Sequence, residues 1–256
     1  MLKKVRYELK SLVLNDVQYR KNHHFTEHLQ YVTTLLESCH SLEKLYFGGI
    51  WYLDEDHLQV PAINFPKWIV QNGQTLMVLN LLNDDVQSYF ENHPGSVQLI
   101  IDNCTELKEL ALPRLKSVDF GFVCKKLTPK IRKLKIATRS KRLEHDKYVE
   151  ILTKRCHGLI VFSLGLPNTS FLASFAIIVK NLALSLEKLE FSRWPINQED
   201  MVKMLELRSM SKLEVLCLRK CFSRRDEEIT KKFFELNFPH LKVMFGGNIR
   251  DVMGIA

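Results

Sequence analysis

The sequence lacks an apolar run long enough to cross a membrane as a helix. Its longest strongly apolar stretch, residues 171–184, is interrupted by Lys180 and is shorter than the roughly 20 apolar residues that a bilayer crossing needs. The N-terminal residues MLKKVRYE begin with basic side chains but have no apolar core and no small-residue cleavage site. A secretory signal is therefore not expected, and the chain is expected in the cytoplasm or the nucleus.

The sequence also has few motifs that would support catalysis. It contains no glycine-rich phosphate loop, no Gly-x-Ser-x-Gly nucleophile elbow and no Cys-x-x-Cys pair. These absences argue against nucleotide hydrolysis, serine-hydrolase chemistry and a cysteine zinc knuckle. We expect a protein that is not an enzyme and that needs no cofactor.

One short motif matches a metalloprotease pattern. Residues 24–28 read His-Phe-Thr-Glu-His, which has the spacing of an inverted zinc-protease motif. The same residues precede an amphipathic segment, where Thr26 suits a helix cap and Glu27 suits the positive end of the helix. No third ligand is evident, so we interpret the motif as structural and expect no metal.

The composition is that of a folded intracellular chain. The 256 residues are 46% hydrophobic and 26% charged, which excludes a disordered protein and allows a sizeable core. Six cysteines without a secretory signal predict free thiols and no disulfide framework.

A repeated pattern, Leu-x-x-Leu-x-Leu, occurs in nine copies along the chain. The copies start near residues 9, 42, 76, 107, 131, 159, 186, 213 and 241, and the last is degenerate. Their spacing is close to or above the roughly 20 to 29 residues of leucine-rich repeats. A single repeat cannot bury its apolar face, so repeats must stack. The sequence predicts an α/β leucine-rich-repeat solenoid, one domain over residues 1–256, with parallel strands on the concave face and helices on the convex face.

Amphipathic segments lie between several of the copies. Apolar residues with helical spacing occur over residues 29–36, 148–152, 201–205 and 229–234, each associated with polar or acidic residues that suit a helix start. These patterns predict helices with one buried face.

The repeat phase also predicts which side chains are available to a partner. Strand side chains alternate between faces, so the second and third apolar positions point inward and their neighbours point to the concave surface. Trp194 and Arg193 lie just beyond the seventh strand, where Trp194 is either an interface anchor or buried under a loop. The candidate partner-binding residues are Lys44, Tyr46, Asn80, Lys133, Lys135, Arg139, Lys188, Glu190, Arg193 and Trp194.

Positive charge is concentrated in one stretch. Residues 125–155 carry twelve Lys or Arg and three acids, a net of +9, so the rest of the chain totals −1 against the overall +8. Such a stretch could attract an acidic protein segment, an anionic lipid headgroup or nucleic acid. The repeat phase assigns the residues of this stretch to a strand, a loop and a helix, and no aromatic residues alternate with them to stack bases. A protein partner is therefore preferred, and nucleic acid or another polyanion is the alternative.

The cysteines fall at fixed positions of the repeat. Cys39, Cys104 and Cys156 each precede a repeat start by three residues, and Cys221 is the ninth residue of its repeat. Cys217 is predicted on the concave face and Cys221 in the core, so the two should not form a metal pair. In these positions the sequence resembles the cysteine-containing leucine-rich repeats of the F-box family. Residues 25–29 and 196–201 are similar to that family's Ile-Thr-Asp-x-x-Leu helix start.

The resemblance implies the role of a substrate receptor in an SCF-type ubiquitin ligase. In that family the repeats bind a protein substrate and an upstream helical F-box binds the ligase adaptor. Here the first repeat starts within ten residues of Met1, which leaves no room for an F-box. We expect either a receptor that lacks its upstream segment or a freestanding repeat protein, and adaptor binding only if an F-box lies upstream.

Overall fold

The computed structural model describes residues 9–15, 34–36, 38–48, 65–82, 90, 93–140, 144–166 and 171–246. The chain divides into two compact units, residues 1–113 and 114–256, and the single domain stays a prediction. The His-x-x-Glu-His motif, residues 25–29 and most of the helix expected over 29–36 lie outside the described residues.

The first unit contains parallel strands that pair in chain order. Its strands are β1 (Ser11–Asn15), β2 (Lys44–Gly48), β3 (Val78–Asn80) and β4 (Glu109–Leu115), the last two residues of which belong to the second unit. Its described helices are α1 (Phe65–Asn72), followed by a 3-10 turn at Gly73–Thr75, and α2 (Ser96–Asn103). The register pairs Leu12 with Leu45, Leu45 with Leu79, and Leu79 with Leu110. The same repeat position therefore aligns from strand to strand.

The second unit repeats this arrangement. Its further strands are β5 (Lys133–Thr138), β6 (Val161–Gly165), β7 (Lys188–Ser192), β8 (Val215–Arg219) and β9 (Lys242–Met244). Its helices are α3 (Ser117–Lys126), α4 (His145–Arg155), α5 (Phe171–Leu182), α6 (Gln198–Lys203), a 3-10 helix at Met204–Ser209, and α7 (Arg224–Asn237). β5 to β9 pair in parallel and in chain order. The α/β leucine-rich-repeat fold predicted from the sequence is confirmed.

The strands follow the phase of the sequence pattern. Eight of the nine begin two residues after a predicted repeat start, and the ninth begins one residue after it. In β5, for example, Leu134 and Ile136 are fully buried while Lys133 and Lys135 on either side of Leu134 are only partly covered. The inward direction of the second and third apolar positions follows from the alternation of strand side chains.

The cysteines are buried. All six are free, as the missing signal predicts. Burial extends to Cys217, which was predicted on the concave face and is fully covered there. The Cys156 thiol lies 3.6 Å from the Thr128 carbonyl oxygen, and the Cys221 thiol lies 3.4 Å from that of Phe191. These two thiols therefore fill the core, and each offers a weak hydrogen bond to the backbone of the preceding repeat.

Three of the expected helices are present as α4, α6 and α7. The buried face of α7 was partly mispredicted, since Ile229 is 57% exposed whereas Thr230 and Phe234 are buried. The Ile229 side chain points outward from α7, and the next residue, Thr230, points inward. The buried Thr230 hydroxyl donates a hydrogen bond to the Asp226 carbonyl at 2.7 Å. A hydroxyl satisfied by its own helix can be buried without cost to its hydrogen bonding.

Polar contacts between α4 and α5 recur at the repeat period. The Asn181 amide donates to the Thr153 hydroxyl at 2.8 Å, and the Ser174 hydroxyl donates to the Asp146 carboxylate; in both pairs the partners are 28 residues apart. Matching the repeats in this way satisfies polar groups that stacking would otherwise bury unpaired.

Candidate functional site

In the second unit, α5 packs against one face of the sheet. Phe171 and Phe175 of α5 pack against Phe191 of β7, with ring centroids 5.2 and 6.2 Å apart. Glu190 and Ser192 alternate with Phe191 along the strand and therefore point to the opposite face. We call this opposite face of β5–β9 the open face.

The strand register arranges the open face in three rows. The first row contains Lys133, Val161, Lys188, Val215 and Lys242; the second contains Lys135, Ser163, Glu190, Cys217 and Met244; the third contains Ala137, Gly165, Ser192 and Arg219. Neighbouring strands are about 4.8 Å apart. Lysines on alternate strands of the first row therefore recur about every 10 Å, with a valine between each pair.

The centre of the open face is closed to solvent. Glu190 and Cys217 are 0% exposed and Ser163 is 1% exposed. Arg219 Nε lies 3.5 Å from Glu190 Oε1, which is an ion pair without a hydrogen bond. Within the described part of the chain neither oxygen of the Glu190 carboxylate accepts a hydrogen bond. A carboxylate buried in this way depends on neighbouring positive charge.

Glu190 was therefore mispredicted as a partner contact. The repeat phase assigns its strand position correctly, but the side chain is enclosed at the centre of the open face. Its role there is to hold Arg219 by charge at the end of β8.

Lys135 is the second cation beside this carboxylate. Burial lowers the pKa of its ammonium group to about 8, while the charge of Glu190 acts in the opposite direction. Across the same row, burial and then the charge of Glu190 raise the pKa of the Cys217 thiol to about 11. The thiol is thus protonated at neutral pH, and the nucleophilic thiolate is suppressed.

Trp194 is a second correction. It is 0% exposed, and its ring centroid is 4.7 Å from that of Phe191 and 5.3 Å from that of Phe171. The position after β7 turns the indole back under the strand into an aromatic cluster with α5. It is a core residue, so the expectation of a surface anchor is wrong for Trp194, whereas the adjoining Arg193 is exposed.

A cavity of about 170 Å³ lies at the carboxyl ends of β5, β6 and β7. The residues lining it are Arg114, Ala137, Thr138, Arg139, Gly165, Ser192 and Arg193, and we call it the arginine pocket. Gly165 leaves room there, because a Cβ on this residue would lie 2.8 Å from the Ala137 Cβ. Arg139 and Arg193 were expected from the sequence near the edge of the binding face, and the structure brings them together.

Arg114 was missed by the sequence reasoning, although the repeats contain a signal for it. Arg114 and Arg193 are each seven residues after their repeat starts, and Arg139 is eight residues after its own. Aligning the repeats over these two adjacent positions would have grouped the three side chains.

Three of the predicted site residues, Lys44, Tyr46 and Asn80, lie on strands of the first unit and not on the open face. Lys44 is exposed in a row with Ser11, and Tyr46 and Asn80 are half-buried in the next row. The Asn80 side chain accepts from the Leu82 amide at 3.1 Å, so it shapes the turn after β3.

The described residues of the basic stretch 125–155 lie on different parts of the second unit. Lys133 and Lys135 are on the open face, whereas the Arg155 side chain donates to the Leu127 carbonyl at 2.6 Å and Lys154 pairs with Glu150 at 2.6 Å. Lys141 and Arg142 lie outside the described residues.

Metal ligands do not cluster in the part of the chain that the structure describes: no three His, Cys, Asp or Glu residues there could hold a metal ion. Among the same residues, no helix has both the length and the apolarity that a membrane crossing requires.

Comparisons with known proteins concern the fold. No protein-family model and no curated protein sequence matches this chain. Among solved structures, the chain is similar to the leucine-rich repeat-containing protein LegL7 from Legionella pneumophila, with 15% sequence identity and a TM-score of 0.48 over 96% of this chain and 81% of that chain.

Proposed function

We propose that the chain is a non-enzymatic protein-recognition module that binds its partner on the open face of the second unit. The observation that carries the proposal is the first row of that face, in which Lys133, Lys188 and Lys242 lie on alternate strands, with the buried Val161 and the half-buried Val215 between them. An acidic segment of a partner would complement these lysines in charge and in spacing. Because the residues at the centre of the open face are buried, the strands that carry this row are held firmly in place.

A finer role is that of a substrate receptor in a ubiquitin ligase, in the cytoplasm or the nucleus. The resemblance of the cysteine positions to F-box leucine-rich repeats supports it, and all four of those cysteines are buried. In this role the open face binds a protein substrate, and the ligase adaptor binds only if an F-box lies upstream of the repeats.

The alternative is a basic scaffold that associates with nucleic acid or another polyanion. The net positive charge of residues 125–155 favours it. The first row opposes it, because its valines offer no surface on which bases could stack.

Matched charge reversals test the proposal. In a double variant, Lys133→Glu with Lys188→Glu, the open-face row becomes acidic; the control, Lys126→Glu with Lys180→Glu, makes the same change at exposed helix positions of α3 and α5. We expect proteins that crosslink to the wild-type chain to be recovered with the control and lost with the open-face variant. Recovery of the ligase adaptor with the wild type and with both variants would support the finer role, because the adaptor would bind an F-box and not the open face.

Two results would contradict the proposal. Equal recovery of partners with both double variants would place binding elsewhere. Crosslinked material that nuclease removes, with an affinity that falls steeply with salt, would favour the polyanion scaffold instead.

A further inference from the structure

We infer that the arginine pocket binds a phosphoryl group carried by a serine or threonine side chain of a protein partner. The protein carrier rests on the proposed function, whereas the phosphoryl site rests on the pocket alone.

The first observation is charge. Arg114, Arg139 and Arg193 come from the ends of three different strands and meet at one cavity, and none of its described lining residues is acidic. Guanidinium groups bind phosphate oxygens through paired, charge-assisted hydrogen bonds. A phosphorylated side chain has a charge of about −1.5 to −2 and three strong acceptor oxygens, which suits several arginines better than a single carboxylate does.

The second observation is size. The cavity of about 170 Å³ is smaller than the roughly 300 to 1,000 Å³ of sites for whole small-molecule ligands. It therefore fits one phosphoryl group and the end of its side chain rather than a nucleotide. No aromatic residue is among the described lining residues, so the pocket has no surface for stacking a base.

The third observation is that the backbone carrying the arginines is fixed. Arg193 has a positive φ of 64°, an unfavourable conformation for arginine, and its amide donates to the Arg219 carbonyl at 2.8 Å. The Arg139 amide donates to the Leu115 carbonyl at 3.2 Å, and the Thr138 hydroxyl donates to the same carbonyl at 3.1 Å. Lys220, at the same position of the following repeat, has a positive φ of 55°. The conformation therefore belongs to the turns after β7 and β8, and it fixes where the Arg193 side chain leaves the backbone.

Inorganic phosphate is the first probe. Its affinity is measured by calorimetry at constant ionic strength for the wild type, Arg139→Gln and Arg193→Asn, since asparagine tolerates the left-handed backbone at 193. The matched control is Arg132→Gln, which removes the same charge from an exposed arginine that does not line the pocket. We expect each pocket variant to weaken phosphate binding about tenfold or more and the control to change it little.

Amide chemical-shift perturbation by phosphate in the wild type gives a second readout that does not depend on whether a variant folds. Shifts centred on Thr138, Arg139, Ser192 and Arg193 support the site. Shifts elsewhere, or equal losses in the pocket variants and the control, overturn it.

A degenerate phosphoserine peptide library, its unphosphorylated form and a single-stranded RNA are the second set of probes. We expect the phosphorylated library to bind tighter than free phosphate and to lose affinity in the pocket variants. A phosphorylated library that binds no better than its unphosphorylated form overturns the inference, as does RNA that binds tighter than the peptides.

The two proposals fail separately. The Lys133→Glu, Lys188→Glu variant leaves the pocket lining intact, so it is expected to keep its affinity for phosphate even where partner binding is lost. If the pocket variants lose phosphate binding but still recover the same partners, the pocket does not take part in the proposed function. That result would overturn the inference that a protein partner carries the phosphoryl group.

Discussion

At the scale of single residues, the open face combines one enclosed negative charge with positive charges that are partly or fully exposed. Glu190 is enclosed, and two cations, Arg219 and Lys135, compensate it from the same face. The open face therefore presents lysines and arginines at its surface while the carboxylate is covered. The sequence could place Glu190 on this face but could not show that its neighbours close over it.

Lys135 gives a prediction about pH. Its folded pKa of about 8 is below the ordinary 10.5, so below pH 8 both folded and unfolded chains hold the proton and the buried charge costs stability. Between pH 8 and 10.5 the folded chain releases the proton first and the unfolded chain binds more protons. The contribution of Lys135 to the free energy of unfolding therefore rises across this window, by roughly 2 to 3 kcal/mol.

The control for this prediction is Lys135→Met, because other groups titrate in the same range. Burial raises the pKa values of the thiols. Their contribution to the free energy of unfolding therefore falls as pH rises above their unfolded pKa values, which opposes the contribution of Lys135. Urea denaturation of both proteins from pH 7 to 10.5 isolates the lysine as a difference. A difference that does not change with pH would show that Lys135 is not desolvated.

At the scale of elements, the helix starts show where local sequence is sufficient. α6 begins with a capping box, in which the Asn197 side chain accepts from the Asp200 amide at 2.9 Å and the Asp200 carboxylate accepts from the Asn197 amide at 2.8 Å. All of the groups involved lie within four residues. The polar start expected at 197–200 was therefore readable from the sequence.

Asn197→Ala should destabilise the second unit by about 1 kcal/mol, because an orphaned helix amide loses its acceptor. Asn197→Ser is the matched control, since serine keeps an acceptor and should cost only a few tenths of that amount. Urea midpoints of the three proteins measure the difference. Equal losses for alanine and serine would mean that the cap does not stabilise α6.

The α7 face shows where local sequence is insufficient. The spacing of Ile229, Phe233 and Phe234 predicted one buried stripe, but Thr230 is buried in place of Ile229. Which side of a helix is covered depends on the repeat against which it stacks, and helical spacing alone cannot distinguish two stripes one residue apart.

At the scale of the whole molecule, the six buried thiols report on stacking. Cys39 and Cys104 lie in the first unit, and Cys124, Cys156, Cys217 and Cys221 lie in the second. Burial raises the pKa of Cys104 and Cys221 to about 12 and that of Cys156 to about 11. Each thiol can react only after local or global opening of its repeat.

We expect all six thiols of the native protein to react with a disulfide reagent at pH 8 at least about a hundredfold more slowly than free cysteine. In denaturant all six should react, and the single domain predicted from the repeats requires one midpoint for every site. Mass spectrometry of the labelled peptides assigns the rates. Fast labelling of any thiol without denaturant contradicts its burial, and separate midpoints for the two units contradict the single domain.

The sequence by itself determined the repeat phase, the α/β class, the inward apolar positions and the free state of the cysteines. These follow from spacings of a few residues and from alternation along a strand, which are local rules. The tertiary structure alone decided that Glu190 is enclosed, that Trp194 turns into the core and that Arg114, Arg139 and Arg193 surround one cavity. The physical reason is that burial and convergence depend on which side chains neighbouring repeats place beside a residue, and those neighbours are about 25 residues away in the chain.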